Sequence, residues 1–177
     1  MRWLNAPVLF LDFDGVLHPD AVYRTKYGLY LKAEGELFQW ATLLEKALAA
    51  APEIQVVLST TWVRVLGYRQ ACSYLPPAVA ARIVGGTWHR RYAREDGWDR
   101  EWLLMTRFEQ VQHYTQRRSV THWVALDNDA EGWPEEKRAQ LVHTEDMAGL
   151  GQSGKLEELI VRLREVADDW QQRSLPL

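Results

Sequence analysis

Val8-Leu9-Phe10-Leu11 is an unbroken apolar run of strand length that ends abruptly in Asp12-Phe13-Asp14-Gly15. The same device recurs twice: Ile54 to Leu58 ends in Ser59-Thr60-Thr61-Trp62, and His122 to Leu126 ends in Asp127-Asn128-Asp129. Runs this short and this apolar predict strands buried on both faces, as in a parallel sheet. Two weaker strands are expected at Arg82-Ile83-Val84, ended by Gly85-Gly86-Thr87, and over Ala139 to His143. Between the runs the apolar period lengthens to that of a helix. Leu37 to Ala50 places Leu37, Trp40, Ala41, Leu44 and Leu48 on one stripe before Pro52 stops it. Trp62 to Tyr74 and Trp102 to Gln116 are expected as single helices, and Pro76-Pro77 breaks the first and starts a short further one. A last helix carries Leu156, Leu159, Ile160, Leu163 and Val166 as its buried stripe. Asp20 to Gly35 has no regular period; rich in Tyr and Lys, it reads as a loop or short hairpin leaning over the first strand end.

Five strands alternating with helices predict an α/β fold, a doubly wound parallel sheet with right-handed crossovers. The 177 residues suit one domain, expected over 1–170, with a frayed tail over 171–177. A formal net charge of −3 gives no whole-molecule attraction to nucleic acid or to an anionic membrane surface. The single cysteine, Cys72, excludes an internal disulfide and fits a reducing compartment. No apolar run approaches membrane-spanning length and no leader precedes the first strand, so a cytoplasmic location is expected.

The candidate chemistry sits where the apolar runs end. Side chains alternate along a strand, so Asp12 and Asp14 start out on one side, and Gly15 lets the backbone turn away. Paired buried carboxylates cost several kcal/mol unless a cation or donors compensate them, and a hard divalent ion such as Mg²⁺ is the simplest compensator. The pair also divides labour: one carboxylate can attack phosphorus while the other carries a proton. The competing reading is a turn carboxylate and a helix cap. It is weakened by Asp127 and Asp129, a second pair of acids two apart at the tip of an apolar strand. The hydroxyls at Ser59 and Thr60 can donate to a phosphate, and a helix starting near Thr61 would aim its amides the same way.

Asp12-Phe13-Asp14-Gly15-Val16 resembles the first motif of the haloacid dehalogenase (HAD) superfamily of aspartate-nucleophile phosphohydrolases. That resemblance implies a three-layer, Rossmann-like core over about residues 7 to 165. It makes Asp12 the nucleophile that becomes an aspartyl-phosphate, and Asp14 the general acid/base that lends its carbonyl to Mg²⁺. Ser59, with Thr60 beside it, matches the phosphate-binding second motif. Asp127 matches the acid that completes the Mg²⁺ shell, with Asp129 as a water-mediated ligand or an orienter. The cation that holds the phosphate, Lys more often than Arg in the family, is assigned to Arg107 inside the helix preceding that motif. Val57-Leu58-Ser59-Thr60-Thr61-Trp62 is similar to one branch, small HAD domains that include those fused to RNA-repair proteins. In that branch an Arg follows the Trp; here Val63 stands in its place and Arg64 comes next.

The stretches between motifs are too short for a large cap domain, and an open site admits a bulky phosphorylated substrate. The expected activity is Mg²⁺-dependent phosphomonoester hydrolysis. A polynucleotide-end phosphatase and a non-catalytic metal-binding regulatory domain are the alternatives. Trp88-His89-Arg90-Arg91-Tyr92-Ala93-Arg94 could grip a nucleic-acid backbone, although Glu95, Asp96, Asp99 and Glu101 follow at once and favour a solvated loop of mixed charge.

Overall fold

Alternate residues of the first strand feed two different cores. The computed structural model describes residues 6–90 and 98–174. In it, strand β1 (Val8–Leu11) sends Leu9 and Leu11 into one apolar cluster and Val8 and Phe10 into another. The chain continues through β2 (Val22–Thr25), β3 (Gly28–Leu31), helix α1 (Ala41–Ala49) and β4 (Gln55–Leu58). Short helices α2 (Trp62–Leu66), α3 (Tyr68–Ser73) and α4 (Pro77–Ala80) lead to β5 (Ile83–Gly86). Helices α5 (Trp98–Leu104) and α6 (Arg107–Arg118) precede β6 (Trp123–Asp127), β7 (Leu141–His143) and α7 (Lys155–Ser174).

Five of these strands form one sheet in the order β5-β4-β1-β6-β7, with every pairing parallel. The chain winds from β1 outward to β4 and β5, then returns to β6 and β7 on the other side. The order therefore reverses at β1, and the carboxyl end of β1 is the crevice where open α/β sheets bind ligands. The face carrying Leu9 and Leu11 packs against Leu44 and Leu48 of α1 and Leu159 and Leu163 of α7. The opposite face, with Phe10, Val57 and Ala125, packs against Phe108 and Val111 of α6 and against Trp133. This is the expected three-layer α/β core, and it has no large cap; β2 and β3 form an antiparallel hairpin between β1 and α1.

Three elements depart from the sequence expectation. The helix predicted from Leu37 begins only at Ala41, because Phe38 takes a left-handed conformation (φ 60°) that turns its ring inward against Phe13, Trp62 and Tyr74. The helix predicted over Trp62 to Tyr74 is two helices, separated at Gly67 (φ 92°, ψ 151°). The helix predicted over Trp102 to Gln116 is also two. Thr106 opens a new one, accepting from the Glu109 amide while the Glu109 side chain accepts from the Thr106 amide. The last helix is regular through Ser174, beyond the fraying expected after Trp170, and residues 175–177 lie outside those described.

Candidate active site

The strand registers bring the three motif tips side by side. Phe10 pairs with Val57 on one flank and with Ala125 on the other, and Leu11 with Leu58 and Leu126. One residue further, the same register aligns Asp12, Ser59 and Asp127. The amides confirm the continuation: Ser59 N donates to Leu11 O at 2.8 Å and Asp12 N to Leu126 O at 3.1 Å. Phe10, Val57 and Ala125 face α6, so by alternation Asp12, Ser59 and Asp127 point to that side as well. All three are buried, at 4%, 1% and 1% exposure.

Arg107 meets them there. The cap at Thr106 makes Arg107 the first residue of α6, not an interior one, and its side chain reaches the strand tips. Nη2 donates to Asp12 Oδ2 at 3.2 Å. Nε lies 3.0 Å from Asp127 Oδ2, off the line of a hydrogen bond, and forms an ion pair. Nη1 donates to Gln110 Oε1 at 3.0 Å, which holds the fork in place. The other carboxylate oxygens are engaged by the backbone: Phe13 N donates to Asp12 Oδ1, and Asp129 N to Asp127 Oδ1.

One guanidinium does not balance two buried carboxylates. Burial raises the pKa of Asp12 despite Arg107, and the charge of Asp14 adds to the rise. Burial lifts Asp127 well above its ordinary value, Arg107 opposing and Asp12 reinforcing. For Arg107 burial works to lower the pKa, but the charges of Asp12 and Asp127 outweigh it and raise it. With both carboxylates ionised, the site carries one more negative charge than Arg107 neutralises.

That residue of charge is the test of a divalent cation here. Among the described residues no three His, Cys, Asp or Glu side chains are grouped to hold a metal. Mg²⁺ does not need three, because it keeps several waters and commonly takes one or two carboxylates. Asp12 and Asp127 match that demand, and each Oδ2 that faces Arg107 retains a lone pair. The donor set fits Mg²⁺.

Ser59 Oγ is buried and has no hydrogen-bond partner among the described residues. A buried hydroxyl without a partner is costly, and an oxyanion placed between it and Arg107 would satisfy it. Thr60 is occupied differently. Its Oγ1 accepts from Trp62 N at 3.4 Å, and its hydroxyl hydrogen-bonds Asp12. Helix α2 has five residues, so the helix-end contribution expected behind Ser59 is small. Asp129 Oδ1 accepts from Glu131 N at 2.8 Å, and its charge acts on Arg107.

Asp14 is held by Trp62, which closes the branch motif but had no role read for it, and by His18, which the sequence alone did not single out. Trp62 Nε1 donates to Asp14 Oδ2 at 2.8 Å. His18, fully buried, lies 3.1 Å from Asp14 Oδ1 through Nε2, while its Nδ1 accepts from Phe38 N. Because Nδ1 accepts, the ring proton is on Nε2 and points at Asp14. Phe13, Phe38 and Tyr74 pack around Trp62. Gly15 makes the turn after Asp14 with φ 67°, and a Cβ there would run into the Asn128 side chain. Arg64 does not reach the carboxylates; it forms a two-pronged pair with Asp99, at 3.0 Å on each prong. Trp133, in the turn after Asp129, is buried against Phe108 and Trp123. Of the basic aromatic stretch, 91–94 lie outside the described residues.

A family model described as the HAD domain in Swiss Army Knife RNA repair proteins matches residues 8–153 of the chain. The searches of curated proteins and of solved structures gave no match. No helix among the described residues is long and apolar enough to cross a membrane.

Proposed function

Because the chain belongs to the family of HAD domains in Swiss Army Knife RNA repair proteins, a branch of the HAD phosphohydrolases, we propose that it is a Mg²⁺-dependent phosphomonoester hydrolase working through an aspartyl-phosphate. One observation carries the reading: Asp12, Ser59 and Asp127 stand on three adjacent strand tips, with Arg107 joining the two carboxylates and Asp14 held beside them.

Asp12 attacks the phosphorus in line with the leaving oxygen, so that an O–P bond to the carboxylate forms as the ester O–P bond breaks. Asp14 gives its proton to the departing alkoxide. It then takes a proton from the water that attacks the aspartyl-phosphate, which returns Asp12 and releases inorganic phosphate. Ser59 Oγ and the Arg107 guanidinium bind the equatorial oxygens, where charge is spread in the transition state. When bound by Asp12, Asp127 and the Asp14 carbonyl, Mg²⁺ supplies further charge compensation to those oxygens.

The printed description of the matching family speaks of RNA repair, which favours polynucleotide ends over small metabolites as the physiological esters. The absence of a large cap is consistent with a bulky substrate.

Hydrolysis of p-nitrophenyl phosphate tests the reading. Wild-type turnover with Mg²⁺, lost in EDTA and lost in a folded Asp12→Asn variant, is the expected result. Turnover that survives in Asp12→Asn removes Asp12 as nucleophile. Inactivity of the wild type towards aryl, alkyl and oligonucleotide phosphates alike would leave a metal-binding regulatory domain in its place.

A further inference from the structure

A cavity of about 1200 Å³ opens outside the carboxylate site, and none of Asp12, Asp14 or Asp127 lines it. It exceeds the roughly 300–1,000 Å³ of a small-molecule site, which points to an extended ligand. Six arginines line it, Arg24, Arg64, Arg69, Arg90, Arg117 and Arg118, and Asp99 is the sole carboxylate among the described lining residues. On a chain of net charge −3 this is a strong local reversal of sign. Asp99 is already engaged, paired with Arg64 and accepting from Trp88 Nε1 at 2.9 Å. Arg69, Arg90 and Arg118 form no ion pair with a carboxylate among the described residues, and all three are exposed.

The placement ties the cavity to the catalytic carboxylates. Its walls are α2 and α3, the segment that continues directly from Ser59 and Thr60, together with the outer strand β5 and the last turn of α6. β5 stands two strands from β1, about 10 Å at the usual strand spacing, and Arg118 stands eleven residues along α6 from Arg107, about 16 Å at the usual helical rise. A chain of phosphates whose end lay at Asp12 would run its next units into the arginines. The described lining residues include no lysine, and the guanidinium fork suits phosphate oxygens in pairs. Tyr68, 40% exposed on the same wall, offers a ring face on which a base can stack.

We propose that this arginine-lined groove binds the sugar–phosphate backbone of a single-stranded polynucleotide whose terminal phosphate occupies the Asp12 site. The proposal rests on the phosphatase reading for the terminal phosphate only; binding in the groove is independent of turnover.

The experiment is equilibrium binding of a short fluorescein-labelled single-stranded RNA with a terminal phosphate, read by fluorescence anisotropy across a salt series on the full chain. Three proteins are compared: wild type, Arg69→Glu/Arg118→Glu, and the charge-matched Arg162→Glu/Arg164→Glu on α7, away from the groove. The groove variant is expected to lose about tenfold or more in affinity, and its salt slope to fall by about 1.4, as two lost phosphate contacts on a single strand require. The α7 variant is expected to bind as wild type does. Equal losses in both variants, or none in either, would overturn the proposal. So would a phosphoserine peptide of equal charge that binds as tightly and is as sensitive to Arg69 and Arg118. Inactivity towards aryl, alkyl and oligonucleotide phosphates alike, alongside groove-dependent binding, would sink the catalytic reading and leave the groove standing; the converse pattern separates them the other way.

Discussion

Arg107 donates to Asp12 across 3.2 Å, and both side chains are almost wholly shielded from solvent. Removing the cation from such a pair leaves a buried charge uncompensated, at a cost of about 3–5 kcal/mol. Here the loss strands Asp127 as well. Arg107→Ala is expected to lower the urea midpoint accordingly and to abolish measurable phosphatase turnover. Arg107→Lys keeps the charge but cannot span both carboxylates as a fork, so an intermediate stability is expected. An unchanged midpoint in Arg107→Ala would show that the carboxylates are neutralised by something other than this guanidinium.

Burial raises the folded-state pKa of both Asp12 and Asp127. In metal-free protein the native state therefore holds protons that the unfolded chain releases. The resulting stabilisation is complete below the ordinary carboxylate value of 3.8 and is lost as pH rises through the raised folded values. In EDTA, wild type should gain stability relative to Asp127→Asn as pH is lowered from neutrality. Saturating Mg²⁺ favours the ionised carboxylates and should erase that difference, and Mg²⁺ affinity should weaken with acid. Denaturation at several pH values, with and without Mg²⁺, checks both signs; a wild-type advantage that grows with pH in EDTA would contradict them.

Ser59 Oγ makes no hydrogen bond among the described residues. Ser59→Ala should leave thermal stability unchanged or slightly higher, because a buried hydroxyl without a partner is no asset to the fold. Toward phosphate the same change removes a bond to a charged oxygen, worth about 1.5–3 kcal/mol, or roughly 10- to 100-fold in affinity. Inhibition by inorganic phosphate or vanadate measures it. Loss of stability without loss of anion affinity would place Ser59 in the fold and not in the site.

The parallel sheet was legible because β1, β4 and β6 are short, largely apolar runs that alternate with helical stretches, the pattern of strands buried on both faces. Asp12 and Asp127 were legible for the same reason, since an acid closing such a run stands out. The break before Arg107 had a visible signal in Thr106-x-x-Glu109, the spacing of a capping box, and that signal explains how Arg107 comes to face the site. The break at Gly67 had only the glycine itself. His18 carried no local signal, and Trp62 stood in the branch motif with nothing to tie it to Asp14. Their contact with Asp14 requires the chain to fold back after Gly15 and requires Phe38 to sit in a left-handed turn. The arginine groove was equally hidden, because its side chains come from the hairpin, α2, α3, the segment after β5 and the end of α6.

Trp62 Nε1 donates to Asp14 Oδ2 at 2.8 Å, while His18 takes the other oxygen. With both oxygens held, the carboxyl group cannot swing away from the leaving oxygen that it must protonate. Trp62→Phe keeps an aromatic ring against Phe13, Phe38 and Tyr74 but deletes the donor. A mis-aimed acid matters most where the leaving group cannot depart unprotonated. General acid catalysis is worth about 10²–10⁴, so partial loss of aim should cost an alkyl phosphate about tenfold or more, and p-nitrophenyl phosphate far less. Comparing kcat on the two esters, with thermal stability followed in parallel, isolates the effect. Equal losses on both esters would mean that the indole serves the aromatic cluster alone, whereas a loss confined to the alkyl ester assigns Trp62 the aiming of Asp14.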